Sequence, residues 1–568
     1  MPDTSWQDRA AAKRRQQLDS IPKDWVLPNL PPRSQLDVNE YPRKCGLLTA
    51  KEVQITESSV ETLLVNLSQG TWSSVEVTTA FSKRAVIAHQ LVNCLTEIFI
   101  ERALERAAGL DEHFKSTGQV VGPLHGLPVS IKDMLMIKGL DTTNGYVGRI
   151  NQPAPKNAAL VDILESLGAV PYVKTNIPQT LMWGESYNHI FGRTLNPFNR
   201  NLTAGGSSGG EGALVAMRGS PLGLGSDIGG SIRIPAAFNS LYGFRPSYNR
   251  LPTTGSVGSG VGQNTIYPVY GPLTTSMDGI KTFMRSILSK EPWEYDPLVI
   301  RKRWDEAECQ LRDHNNGKEL CFAILWDDGS IVPHPPVTRG LEIAKAALLR
   351  AGHKVIDWKP TNHAELCRLG WEILAAGGSA DVDAVLATSG EPLIPDMSLE
   401  VEKFDAEAWQ RVKNTQVPRP GLTTHELWQL NGKLRQLRHE YLDHWRETIS
   451  ETGTGRPVDA IIAPVAPFVA TPHGKNRHYN YTFIWNVLDY PCCAIPVGSK
   501  VDPQLDAKRP RASFYGDADR QNWDSYDPDD FINAPLSIHI VSRTLEDEAV
   551  VGISEVVDNA LKARESAI

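Results

Sequence analysis

The sequence predicts an α/β fold, a single large unit in which a twisted mixed β-sheet is covered by helices on both faces. Three observations carry this reading. Short apolar runs of strand length alternate with stretches of helical period, the pattern of a sheet buried on both sides. The 568 residues are 41% apolar and 22% charged, ordinary globular text with enough side-chain volume for a large core. No internal repeat or low-complexity segment divides them. Length alone would suggest three or four domains, but large twisted sheets can exceed the usual domain size.

Taken in order, residues 1–50 are rich in proline and charge and read as an N-terminal arm around a main body spanning 51–568. Ser58-x-x-Glu61 and Ser73-x-x-Glu76 have the capping-box pattern and open helices. Helical text runs from Glu101 to Lys115. Residues 126–133 follow, where Val129 and Ile131 alternate with polar residues as in a strand. A helix over 158–167 ends at Gly168, and the apolar run Ala169 to Val173 is a strand leading to Lys174. Strand 320–325, helix 337–351 and strand 354–358 repeat the theme. Residues 365–455 lack strand signals and hold a long helix near 425–450, so they are expected to form a helical cap or insertion. Strands at 459–463, 493–497 and 535–541 and a helix at 545–563 complete the unit, with a charged surface excursion at 501–530.

A net charge of −8 gives no electrostatic reason to bind nucleic acid or an anionic membrane and suits a small neutral substrate. No stretch approaches the ~18 unbroken apolar residues of a membrane span, and the best candidate, 460–470, contains two prolines. Residues 1–25 have no signal-peptide pattern, and Lys13-Arg14-Arg15 is read as a solvated helix face rather than a localisation signal. Seven cysteines lack metal-ligand spacing, and the adjacent Cys492 and Cys493, in an apolar strand-like run, are read as buried thiols. The three sequons at Asn66, Asn201 and Asn480 carry no weight without secretion. The expected setting is reducing and cytoplasmic.

The chemistry concentrates in Thr203-Ala-Gly-Gly-Ser-Ser-Gly-Gly-Glu-Gly212 and Gly225-Ser-Asp-Ile-Gly-Gly-Ser-Ile-Arg233. A flexible linker does not fit, because structured apolar text flanks both stretches. A phosphate loop lacks its Gly-Lys-Ser/Thr, and Gly223, Gly225 and Gly229 miss the dinucleotide spacing by one residue. The Gly-x-Ser-x-Gly elbow is absent. A nucleophilic serine fits better: the backbone N–H groups of Ile228, Gly229, Gly230 and Ser231 supply an oxyanion hole. No histidine lies in the region, but a lysine kept neutral by burial can act as the base, with a second serine relaying the proton.

Ser-Ile-Lys132-Asp, Gly-Gly-Ser207-Ser-Gly-Gly and Asp227-Ile-Gly-Gly-Ser231-Ile-Arg together resemble the amidase signature family, with spacings of 75 and 24 residues as is usual there. Similar text recurs at Lys174–Pro178, Gly192–Pro197, Tyr242–Ser247, Asp459–Pro464 and Ala534–Ser537, so the likeness covers roughly residues 45–565. Within the family the chain most resembles the fungal acetamidases, through Arg193–Pro197, Lys290–Trp293 and Val332–Pro336. The resemblance implies an amidase-signature fold and an amidase that cuts the C–N bond of small carboxylic amides. Ser231 would be the nucleophile, Ser207 (on a cis peptide bond) the relay and Lys132 the base. No metal or organic cofactor is implied. The expected partner is a small amide, with neither nucleic acid nor membrane, and homodimerisation is left open. Ser226 stands where threonine is frequent, Thr203 where serine is frequent, and Asn249 where glycine is common.

Weaker signals are weighed against plainer roles. His439 and His444 are five apart, about 140° around a helix, where a zinc motif needs four. His125 is assigned a structural hydrogen bond. Asp227 and Arg233 are expected to pair and support the loop. Leu181, Met182 and Trp183 are placed beside the acyl site by the resemblance, with core packing the competing role. The alternatives carried forward are an amidase for a larger aryl or pathway-specific amide, the glutaminase subunit of an amidotransferase, and a catalytically silent scaffold.

Overall fold

The computed structural model describes residues 5–403 and 420–565, so residues 404–419 of the expected helical stretch and both extreme termini lie outside the described residues. Thirteen strands are present among the described residues: β1 Leu95–Ile98, β2 Pro128–Lys132, β3 Val170–Thr175, β4 Tyr187–Asn188, β5 Gly192–Arg193, β6 Leu222–Asp227, β7 Tyr242–Arg245, β8 Val269–Thr274, β9 Cys321–Ile324, β10 Lys354–Asp357, β11 Ala460–Ala463, β12 Cys492–Lys500 and β13 Pro535–Val541. β4 and β5 form a small hairpin. The other eleven make one mixed sheet in the order β1-β3-β2-β6-β8-β7-β12-β13-β11-β9-β10.

The two-residue period of its strands shows why both faces are covered. Along β9 and β11, Phe322, Ile324, Ala460 and Ile462 join one hydrophobic core. Their neighbours Cys321, Ala323, Ile461 and Ala463 point the other way and join a second. Helices Met277–Ser289, Pro335–Arg350 and Asp547–Glu565 close the first core. Helices His363–Leu374, Thr424–Glu447 and Asn480–Leu488 close the second.

Strands β1, β4, β5, β6, β7 and β8 are absent from the sequence reading. β6 reads Leu-Gly-Leu-Gly-Ser-Asp and β8 reads Val-Tyr-Gly-Pro-Leu-Thr, and interior glycine and proline mask strand character. In β2 the alternation of apolar and polar residues does not mark a solvent face. All five residues are buried, because β3 and β6 flank the strand and the Ser74–Val92 and Gly209–Ala216 helices pack on it.

Two local expectations are corrected. Ser58 ends the Ala50–Glu57 helix, and Ser59 caps the next one by accepting the Thr62 N–H at 3.2 Å. The reciprocal box at Ser73 and Glu76 is present, and others occur at Thr49/Glu52 and Thr423/Glu426. Lys13 is not on a solvated face. Its helix, Trp6–Asp19, lies against β1, with Gln17 Nε2 donating to the Leu95 carbonyl at 2.6 Å. Lys13 is only 5% exposed, held by Glu97 at 2.6 Å and Asp141 at 2.9 Å. Two carboxylates offset the loss of water around its ammonium.

Candidate active site

β2 and β6 run parallel as neighbours, with Ile131 opposite Leu224, so Lys132 and Ser226 emerge together at the carboxyl end of the sheet. Lys132 Nζ lies 2.7 Å from Ser207 Oγ and 2.8 Å from Ser226 Oγ. The lysine is completely buried and Ser207 is 2% exposed. Burial lowers the lysine to about 7, with Asp227 and Glu211 opposing the shift. A large fraction of the amine is therefore neutral at physiological pH and able to accept a proton. The other lysine of this region, Lys174 on β3, is committed to Asp133 at 3.0 Å and to the Asp141 carbonyl at 2.9 Å.

Ser207 follows a cis Gly206–Ser207 peptide bond just ahead of the Gly209–Ala216 helix. Gly206 must be glycine: a Cβ there would lie 2.6 Å from the Glu185 nitrogen and 2.7 Å from the Gly184 carbonyl carbon. That close approach brings Ser207 against the segment following Trp183. Inside the same helix Glu211 is buried, accepting hydrogen bonds from the Ser130 and Thr175 hydroxyls. Burial pushes its carboxyl up to about 8 despite those bonds. It is the one charged residue of a run of small and apolar ones, a signal the sequence reading passed over.

After β6 the chain turns through Ile228-Gly-Gly-Ser231. Asp227 and Arg233, the expected supporting pair, meet in a two-pronged contact of 2.9 and 3.0 Å, both fully buried. Burial would raise the Asp227 carboxyl, but the Arg233 charge and its hydrogen bonds override this and hold it well below the usual range. Asp227 also accepts the Gly230 N–H at 2.8 Å and the Ile232 N–H at 3.2 Å. One of the four expected oxyanion donors is corrected by this geometry. The Gly230 N–H is bonded to Asp227, which leaves Ile228, Gly229 and Ser231 from that set. Thr482 Oγ1 fastens the Gly229 carbonyl at 2.6 Å, and Asn486 Nδ2 reaches Asp227 at 2.9 Å. Both come from a helix some 250 residues away, so nothing near the motif points to them.

Ser231 is half-buried at the base of a pocket lined by Leu181, Met182, Trp183, Ile228, Trp371 and Tyr479, among others. The three predicted substrate-side residues all reach it. Leu181 also packs on the main core and Trp183 on the Tyr187, Ile394, Met397 and Val401 cluster, so pocket lining and core packing coexist. Thr180 and Leu181 adopt left-handed backbone at φ +74° and +67°. Trp371 and Tyr479 had no signal in the sequence.

The remaining assignments fall outside the site. His125 Nδ1 accepts the Val121 N–H at 3.2 Å, a structural bond. His439 is exposed and His444 Nε2 sits 3.1 Å from the Lys359 carbonyl, on the expected long helix. Asn249 takes the left-handed conformation at φ +59°, one that asparagine tolerates in place of glycine. No helix among the described residues is long and apolar enough to cross a membrane.

Known proteins supply the remaining evidence. The sequence profile of the family described as Amidase matches residues 76–551. An acetamidase of Aspergillus oryzae is 43% identical over 562 residues, covering 99% of this chain and 100% of the relative. An acetamidase of Emericella nidulans is 41% identical, covering 98% of each chain. A solved fatty acid amide hydrolase superposes with a TM-score of 0.88 at 32% identity, covering 98% of this chain and 95% of its own. A profile match over most of the chain, full-length relatives above 40% identity and this shared fold agree with the geometry: the chain belongs to the amidase family and is an acetamidase-like amide hydrolase.

Proposed function

We propose that Ser231, Ser207 and Lys132 hydrolyse small primary amides to a carboxylate and ammonia through an acyl-enzyme, with acetamide-like substrates preferred. The observation that carries this reading is the buried Lys132 amine, lowered to about 7 and 2.7 Å from the Ser207 hydroxyl beside the Ser231 pocket. In the neutral amine the Nζ lone pair accepts the Ser207 proton. Ser231 Oγ attacks the carbonyl carbon as its own proton moves to Ser207. The oxyanion is met by the N–H groups of Ile228, Gly229 and Ser231, pre-aimed and costing no reorganisation. As the C–N bond breaks, Ser207 protonates the leaving nitrogen and recovers a proton from Lys132, and ammonia departs. Water then attacks the Ser231 ester with the same relay in reverse, releasing the carboxylate and restoring the hydroxyl.

Asp227 and Arg233 keep the donors aimed without touching substrate. The small apolar pocket suits a short acyl group better than a free amino acid, which would need partners for its charges. A reducing, cytoplasmic setting agrees with seven cysteines that are all free thiols. The test is ammonia release from acetamide, benzamide, indole-3-acetamide and glutamine by wild type and Ser231→Ala. Acetamide turnover abolished in the variant supports the assignment, as does fluorophosphonate labelling that depends on Ser231. A variant as active as wild type would remove Ser231 as nucleophile, and an inactive wild type would remove the substrate class.

A further inference from the structure

The Ser231 pocket has little free volume, about 30 Å³. A cavity needs roughly 10–15 Å³ to admit a water-sized group, so only two or three such groups fit. Immediately beside it lies a cavity of about 690 Å³, lined among the described residues by the loop 259–265, Leu374, Leu427 and Trp428. On another side is a third space of about 350 Å³, bordered by Asp328 and Arg477. Met182 and Trp371 line all three. Room for a bulky acyl group therefore borders the nucleophile pocket across Ile228, Leu374 and the two residues common to all three spaces, Met182 and Trp371.

The two differ in how firmly they stand. Trp371 is stacked on Phe483, with ring centroids 4.0 Å apart at 26°, and its Nε1 donates to Asn480 Oδ1 at 3.2 Å. Phe483 is fully buried on the helix that also carries Thr482 and Asn486, which bind the nucleophile loop. The indole is thus a fixed wall. Met182 is 42% exposed, with an unbranched chain that can take several rotamers. We infer that Trp371, seconded by Met182, is the specificity-determining partition that confines this enzyme to short acyl groups. Opening it connects the nucleophile to the 690 Å³ cavity and admits longer aliphatic or aryl acyl chains. The inference rests on the amide-hydrolase reading of the Ser231 pocket.

The experiment compares kcat/KM for acetamide, butyramide, hexanamide and benzamide in wild type, Trp371→Ala, Trp371→Leu and Met182→Ala. A parallel readout is the rate of Ser231 labelling by short-chain and long-chain alkyl fluorophosphonates. The expected result is a hexanamide-to-acetamide ratio at least tenfold higher in Trp371→Ala, with a smaller rise in Met182→Ala and a matching shift toward the long-chain probe. Trp371→Leu keeps an apolar anchor on Phe483, so it reports if the alanine variant does not fold. Folded variants with the wild-type ratio, or a wild type that already prefers hexanamide, would overturn the partition while leaving the amidase reading intact. A wild type inactive on every amide and unlabelled at Ser231 would overturn both.

Discussion

Replacing Lys132 with methionine separates two consequences of burying an amine between two serines. The unbranched thioether keeps most of the packing and removes the nitrogen that joins Ser207 to Ser226. Activity is expected to fall about a thousandfold, within the 10²–10⁴ range of a positioned base. Stability moves the other way. The folded amine titrates near 7, because of burial, against 10.5 in the unfolded chain. The folded value is the lower one, so between those limits the unfolded chain holds the extra proton. Wild-type stability therefore rises with pH across this window, at about 1.4 kcal/mol per pH unit where the difference is complete. At pH 7 the amine costs roughly 4 kcal/mol, and losing two hydrogen bonds costs the variant about 1 kcal/mol each. Lys132→Met should be more stable than wild type by about 2 kcal/mol at pH 7, and this advantage should vanish and reverse by pH 10. Urea unfolding at pH 7, 8, 9 and 10 measures it. A variant less stable than wild type at pH 7, or a difference that ignores pH, would refute the reasoning.

Three further outcomes are expected. In Gly230→Ala the new Cβ would meet Thr482 Oγ1 at 2.3 Å and Ile234 Cδ1 at 2.7 Å, at φ +135°; kcat should drop at least tenfold and urea unfolding should show a loss of about 2 kcal/mol. Asp227→Asn removes the charge facing buried Arg233 and should cost about 3–5 kcal/mol, with slowed fluorophosphonate labelling of Ser231. Because the Asp227 carboxyl is depressed on folding, wild type keeps its contribution above the usual carboxylate range and loses it only in strong acid, whereas the variant lacks it throughout. Glu211 is raised from 4.5 to about 8, so wild-type stability falls as pH climbs between those values. Glu211→Gln should match wild type within about 1 kcal/mol at pH 5 and become the more stable form toward pH 8, as read by denaturation at each pH.

The fold class was legible because burial on both faces writes itself into local period and composition, as in the Ile461–Ala463 and Phe322–Ile324 runs. Where backbone demands replaced apolar content, legibility failed. β6 and β8, which pair in the middle of the sheet, carry glycines and a proline at facing positions such as Gly225–Gly271 and Leu224–Pro272. Lys13 shows the same limit for charge, since a buried lysine cannot be told from a solvated one until Glu97 and Asp141 are known to face it.

By itself the sequence singled out Lys132, Ser207 and Ser231 as candidates, with the glycines around them and the Asp227–Arg233 pair, because each lies in a short segment with its own pattern of residue types. The tertiary structure alone decided that the Gly230 N–H is taken by Asp227, that Thr482 and Asn486 fasten the loop, and that Trp371 walls the pocket. The Gly230–Asp227 bond spans only three residues, but the contacts of Thr482, Asn486 and Trp371 join positions about 140 to 260 apart. They depend on the path of the whole sheet and the helices packed on it, which no local pattern specifies.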